Sequence, residues 1–468
     1  MFETGMHGQF MSGRFYFDSC GFERVFDCRM RMEGGCGLAR WLRKKRAGLR
    51  GRVKSLLTGC DANGVFSGDK ALARALEAGK DAWVYVSAWD FWRLDGGCGK
   101  RMNGLGREIA KRRPVLLVGW SSPGEDTPAV FRELEGGVSI LRVPTSLGWT
   151  DYLPSALKDG SWVWEGSERG TAFFAKLARE ARGWIFENSW MHASLAGKGL
   201  AWKRVVYWPP DAIVDKYGSL GGDTRALTHA ECGILERAEL VAFCTEGDKQ
   251  STLKHHPDFS GEGWKIVPNG IYEEDALRVV PPTEAMSFRR KCRFRGHVAL
   301  FAGANTGPND EAVGEITRKW APKHPDVTFV ILGIRLDRYL RNGGIPPAEN
   351  MVFPGWVTEE EKRALYALSD VAIVPLLTGS GSSLKVPEAM AMGKVVIGTT
   401  VGLRGFADWC DGKSVIQSDN GEDILQDVLD DMDAHPEEFS LICRRNAAKV
   451  VEVLSWEGIF KAVKEYEW

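Results

Sequence analysis

The chain has 468 residues, of which 44% are hydrophobic and 26% charged, and a formal net charge of −1. Such a length exceeds one core of ordinary size and predicts two domains, and the near-neutral charge excludes a polycationic surface that would hold nucleic acid, so any attraction to anions must be local. No apolar run approaches the roughly 20 residues that cross a bilayer, and the opening "MFETGMHGQFMSGRFYF" has no basic stretch leading into an apolar one, so a cytoplasmic protein is the expectation.

Residues 1–80 follow no strand and helix rhythm and are expected to form an amino-terminal extension. Cys20, Cys28 and Cys36 recur every eight residues with His7 upstream, which is not the short-loop spacing of a zinc site. The ten cysteines include no CxxC pair and read as structural thiols, so no metal is expected. "RWLRKKRAGLRGRVK", from Arg40 to Lys54, carries eight basic residues and no acid, with Leu38, Leu42, Leu49, Val53 and Leu56 able to share a helical face. Residues 38–57 therefore admit two readings: a peripheral membrane contact or anionic-substrate helix, or a solvated basic face broken by two glycines.

From about residue 81 apolar runs alternate with helical patterns. "AWVYVSAWD" reads as a strand, the glycine-rich turn "LDGGCGKRMNG" leads into the helix "LGREIAKRR", and "PVLLVGW" is the next strand. The rhythm continues through "GVSILRVP", "GWIFENS", "KRVVYWP" and "ELVAFCT", predicting a doubly wound domain over 81–265. "GCGKRM" fails the dinucleotide fingerprint because Met102 stands at the third glycine position, which argues against an NAD enzyme. The tryptophans, 18 in all, crowd "DYLPSALKDGSWVWEGS", "WIFENSW" and "GLAWKRVVYW"; core packing accounts for most of them more simply than sugar stacking.

A second run of the same kind is expected over 266–450: strand "HVALFAGA", helix "DEAVGEITRKWA", strand "VTFVILG", short strand "MVFPGWV", helix "EEEKRALYALS", and strands "DVAIVPLL" and "KVVIGTT". Residues 451–468 predict a closing helix, with a cap at Ser455 and apolar Ile459, Phe460, Val463 and Tyr466 on one side, packing across the domains. The fold class is thus α/β, with two tandem Rossmann-like domains facing a cleft where strand carboxyl ends bind ligand.

"GSGSSLKVPEAMAMGK", residues 379–394, opens a helix at that cleft. Pro387 fits only the first helical turn, which leaves N–H groups of Ser383, Leu384 and their neighbours free at its positive end. Gly379 and Gly381 allow close approach to the backbone, Ser380, Ser382 and Ser383 add donors, and Lys385 adds a full charge. Glu388 is placed to accept from ribose hydroxyls. The pattern reads as a nucleoside diphosphate site, against the plainer reading of a loop and a helix start.

"GSGSSLKVPEAMAMGKVVIGTTVGLRGF", preceded by "FPGWVTEEEKRALYALSDVAIVPL", resembles the donor-binding region of the group 1 glycosyltransferases, also called family 4, which have the GT-B fold. The resemblance extends to "WKIVPNGI", "LFAGANTGPNDEAV" and "LSWEGIFKAVKEYEW", and more loosely to residues 82–265. It implies transfer of a sugar from a nucleotide-diphosphate sugar to a carbohydrate or lipid-linked acceptor, usually with retention and with no metal or other cofactor. By position it assigns Glu388 to the ribose and Ser382, Ser383, Leu384 and Lys385 to the diphosphate. It likewise assigns Gly96 and Gly97 to a closing loop, the backbone near Trp356 and Val357 to the base, and Gly303 to the floor of the donor site.

Three departures accompany it. Ser380 stands where many members carry a second glutamate, and Asn305, Thr306 and Asn309 stand where many carry Arg and Lys. "VYWPPD" has no histidine for the reacting sugar, leaving Asp211 and His192 as substitutes, the first equally a turn former and the second more simply read as a packed or surface histidine. Gly96 and Gly97 also fit plain turn glycines. These departures keep two rivals open: a nucleotide-sugar-binding scaffold without catalysis, and a sugar-nucleotide epimerase on the same fold.

Overall fold

A computed structural model describes residues 61, 64–92, 94, 96–121, 128–144, 168–197, 199–200, 202–219, 224–276, 294, 296–304 and 306–468. The basic stretch at 38–57, Cys20, Cys28 and Cys36, the tryptophan-bearing segment 151–167 and Asn305 lie outside the described residues.

The amino-terminal domain runs β1 (Phe66–Ser67), α1 (Asp69–Ala78), β2 (Trp83–Val86), α2 (Gly97–Ala110), β3 (Val115–Trp120), β4 (Val130–Glu133), β5 (Val138–Val143), α3 (Glu168–Glu180), β6 (Gly183–Phe186), α4 (Ser189–Ala196), β7 (Val205–Tyr207), α5 (Ile213–Ser219), α6 (Thr224–Leu235), β8 (Leu240–Phe243), α7 (Glu246–His255) and β9 (Lys265–Ile266). Its sheet has the order β1-β4-β5-β3-β2-β6-β7-β8-β9, parallel except where β4 meets β1 and β5. Every residue of β2, β3, β6 and β8 is buried. Helices cover both faces of a parallel sheet, so these strands read as continuous apolar runs instead of alternating ones.

The carboxyl-terminal domain runs β10 (Val298–Ala302), α8 (Gly307–Glu315), β11 (Thr328–Leu332), α9 (Leu336–Arg341), β12 (Met351–Gly355), α10 (Glu359–Leu368), β13 (Val371–Val374), α11 (Lys385–Ala391), β14 (Val395–Gly398), β15 (Val415–Gln417), α12 (Gly421–Ala434) and α13 (Pro436–Leu454), before α14 (Trp456–Phe460). Its six strands are all parallel in the order β12-β11-β10-β13-β14-β15. Pro354 sits in β12, the edge strand, where a missing N–H interrupts no inner ladder.

Two expected boundaries need correction. Residues 66–78 are not part of an extension ending at 80: β1 pairs with β4, Phe66 packs against Phe131 with ring centroids 6.2 Å apart, and α1 buries Ala71, Leu72 and Ala75 in the amino-terminal core. A two-residue strand is too short to show a period, which hides its membership from sequence. At the other end, no helix begins at 451. α13 already runs from 436 and stops at Ser455, whose hydroxyl accepts from the Gly458 N–H at 3.1 Å.

The chain crosses between domains twice, at Val267–Ala276 and again at Ser455, and the two crossings are bonded together. Ile271 N–H donates to the Leu454 carbonyl at 2.9 Å, and Trp456 N–H donates to the Ile271 carbonyl at 3.1 Å. Residues 456–468 then pack on the amino-terminal domain: Trp456 lies on α2, where a Cβ on Gly104 would come within 2.2 Å of the indole. Trp468 is buried with Trp83, Trp208 and Phe460 at ring centroid distances of 5.4, 5.9 and 5.4 Å.

Candidate functional site

In the carboxyl-terminal sheet the strand order reverses between β10 and β13, which opens a crevice at their carboxyl ends. The loop after β13 carries Gly379 and Gly381, at φ +134° and +68°, in backbone conformations that a side chain would strain. A Cβ on Gly381 would also stand 2.4 Å from the Pro210 carbonyl, so the loop meets the opposite domain backbone to backbone. Pro387 is the third residue of α11, inside the first turn. Among the described residues the N–H groups of Ser383 and Leu384 donate no hydrogen bond, and both face the crevice end of the helix.

Lys385 opens that helix. Its ammonium donates to Asn309 Oδ1 at 2.7 Å and lies 4.4 Å from the centre of the Phe301 ring on β10. Among the described residues no carboxylate is within ion-pair distance of it. Burial, and then the nearby Arg404 charge, lower its pKa to about 7. Asn309 is held in turn, its amide donating to the Ala304 carbonyl at 2.8 Å and Thr306 Oγ1 at 3.1 Å, and it packs over Gly303, where a Cβ would meet it at 2.8 Å. Asn305 itself is outside the described residues.

Glu388 lies one turn further along α11. Lys100 Nζ on α2 reaches it at 2.6 Å and Lys362 Nζ on α10 at 3.4 Å, while Glu359 lies 3.7 Å from Lys100 and 2.7 Å from Lys362. Burial works to raise the Glu388 carboxyl, but the Lys362 and Lys100 charges outweigh it and hold the group below the usual carboxylate range. Gly96 caps α2 and Gly97 begins it; a Cβ on Gly97 would stand 3.4 Å from Leu384. The glycine-rich turn of one domain therefore lies against the loop of the other. Lys100, Lys362 and Glu388 also line a pocket with Gly270, Tyr272 and Met392.

Across the cleft, Asp211 accepts from the Ser380 hydroxyl at 2.9 Å and pairs with Lys216. The Gly381 N–H donates to Asp248 at 3.2 Å. Asn269 grips Ser382 twice, its N–H donating to Oγ at 2.9 Å and its amide to the carbonyl at 2.8 Å. Asp211 thus belongs with the loop. His192 does not: it is buried on α4 between Phe186 and Trp202, neither ring nitrogen has a hydrogen-bond partner among the described residues, and burial lowers its pKa to about 4. It is a packed side chain, set among aromatic rings of the amino-terminal core. Trp356, 56% exposed, and Val357, partly buried, follow β12 directly, and Thr358 then caps α10 with a capping box to Glu361.

Lys100, Asn269, Lys362, Asp248 and Arg404 escape the sequence reading. Lys100 and Asn269 sit inside stretches that resemble the family, "GCGKRMNG" and "IVPNGI", so the signal existed as position; the pairing of Lys100 with Glu388, 288 residues apart, had none. Among the described residues no group of three or more His, Cys, Asp and Glu is placed to hold a metal ion, and no helix is long and apolar enough to cross a membrane.

Two open α/β sheets facing a cleft, with strand-order reversals at their carboxyl ends, define the GT-B fold. Solved structures agree in fold. Sucrose-phosphate synthase from Thermosynechococcus elongatus superposes with a TM-score of 0.61 at 17% identity, covering 81% of this chain and 96% of that one. HepE of Anabaena, in complex with UDP and glucose, gives 0.60 at 12% identity over 82% and 98% of the two chains. The catalytic domain of starch synthase IV from Arabidopsis thaliana, bound to ADP and acarbose, gives 0.58 at 14% identity over 83% and 98%. Residues 296–431 match the family described as Glycosyl transferases group 1. No curated protein sequence matches the chain.

Proposed function

We propose that the protein transfers a sugar from a nucleoside-diphosphate sugar, held at Gly379–Glu388, to a carbohydrate or lipid-linked acceptor bound against the amino-terminal domain. The observation that carries this reading is Lys385: a desolvated ammonium with no carboxylate within ion-pair distance among the described residues, beside the N–H groups of Ser383 and Leu384, which donate to none of them, at a strand-order reversal. Charge growing on the departing diphosphate meets these fixed donors, which is how preorganised groups lower a barrier. Glu388 accepts from the ribose, and Trp356 and Val357 offer backbone to the base. Retention at the anomeric carbon follows from the family likeness. The reading calls for no metal or other cofactor, and it names no protein nucleophile.

A second reading, binding without turnover, draws on the bonds that already occupy Ser380 and Glu388 from the facing domain. Incubating the full chain with labelled UDP, ADP and GDP sugars separates the two. Transfer to acceptor or slow release of free sugar supports the first, an isomerised donor points to an epimerase, and tight nucleotide binding with unchanged donor supports the second.

A further inference from the structure

The loop after β14, residues 399–406, lays one side chain across the donor loop. Arg404 Nη2 donates to the Ser380 carbonyl at 2.7 Å and Nη1 to the Val401 carbonyl at 2.6 Å. A Cβ on Gly379 would stand 2.8 Å from Nη2, so only a glycine there leaves room for the guanidinium. An arginine has five N–H donors, and the bonds here go to neutral carbonyls while Nε is buried with no acceptor among the described residues. Among the described residues no carboxylate is within ion-pair distance of Arg404. Asp211 and Asp248 are the nearest opposite charges, but their oxygens are engaged by Ser380 and Lys216, and by Thr245, Ala212 and Gly381.

Among the described residues Lys385, on the same loop, also has no carboxylate within ion-pair distance; the Glu388 charge favours its ammonium from further off, but burial and the Arg404 charge act against it more strongly. Two desolvated cations that repel each other across one glycine-rich loop are costly unless an anion offsets them. An anion of two charges with several oxygens, able to take the fork of a guanidinium and an ammonium together, fits the pair.

We infer that Arg404 is a second donor-binding cation, and that the diphosphate of the nucleotide sugar is held between it and Lys385. The inference rests on the donor-site reading above.

Calorimetry on the full chain tests it, with UDP, ADP and GDP to find the preferred base and then the matching nucleoside as a control. Arg404→Gln is expected to weaken the diphosphate about 10- to 100-fold, the range for a hydrogen bond to a charged group, to leave the nucleoside within about 2-fold, and to be partly rescued by Arg404→Lys. It should also shift the pH midpoint of diphosphate binding upward from about 7, because Lys385 loses a repelling neighbour. Equal losses for nucleoside and diphosphate with an unmoved midpoint would mean that Arg404 only supports the loop, and would overturn the inference. If Lys385→Met weakens the diphosphate while Arg404→Gln binds it as the wild type does, the inference falls and the donor site stands. If the wild type binds none of the three diphosphates, both fall.

Discussion

At the residue scale Lys385 concentrates the conflict between stability and function. Its proton is held only to about pH 7 in the folded protein, against the ordinary value of 10.5 in the unfolded chain. Between those values the unfolded state binds more protons, so stability rises with pH across that window. Lys385→Met is expected to raise Tm at pH 6.5 by about 1 °C, the response to about 1 kcal/mol when unfolding entropy is about 2 cal/mol/K per residue over a chain of this length, to flatten the rise above pH 7, and to weaken diphosphate binding. The same shift predicts uptake of close to one proton when a nucleoside diphosphate binds at pH 8 and almost none at pH 6. Calorimetry in buffers of different ionisation enthalpy reads this directly, and equal heats at pH 8 would contradict it. Glu388→Gln should raise donor KM more than it lowers kcat, since a ribose contact is the same in ground and transition states. For His192 the folded pKa of about 4 lies below the ordinary 6.5, so stability falls as pH drops through that interval. His192→Phe should remove that acid loss and keep turnover within about 2-fold, whereas a catalytic histidine would lose far more.

At the level of elements, the crossing at Ser455 decides how the domains are tied. The seat of Trp456 on α2 depends on a bare backbone at Gly104, and the bonds between Ile271, Leu454 and Trp456 fasten the two crossing segments to each other. Trp456→Ala is expected to cost about 3–5 kcal/mol, the usual range for emptying a buried indole site. Gly104→Ala must push the indole aside and should lower the same denaturation midpoint. If urea unfolding monitored by tryptophan fluorescence left either midpoint unchanged, residues 456–468 would be an accessory to the fold and not part of its core.

For the molecule as a whole, the segment 379–388 is clasped from the opposite domain by Asp211, Asp248 and Lys100 and from the crossing segment by Asn269. The cleft is closed by these bonds, and on the proposed donor-site reading such closure would exclude water from the sugar nucleotide. Asn269 makes the densest contact, bonding Ser382 twice and accepting from Arg101 at 3.0 Å. Asn269→Ala should enlarge the radius of gyration seen by small-angle scattering, and added nucleoside diphosphate should shrink it again. An unchanged radius would mean that the Trp456 and Trp468 packing alone sets the domain angle.

Sequence alone determined the repeated strand and helix rhythm, because strands buried on both faces must be apolar runs and "WVYV", "VLLVGW" and "VAIV" have no other reading at that length. It also determined the shape of the loop 379–388, since Gly379, Gly381 and Pro387 act through local backbone geometry that a few neighbouring residues fix. Tertiary structure decided the rest. β1 needed β4 to become a strand, His192 needed its aromatic neighbours to be excluded from the site, and Asp211 needed the loop at 380 to be included. Lys100 met Glu388, and Arg404 met Ser380, only because two sheets face each other and two loops emerge from one sheet edge. Charge pairing acts through space and carries no period along the chain, so those partners were invisible until the domains were brought together.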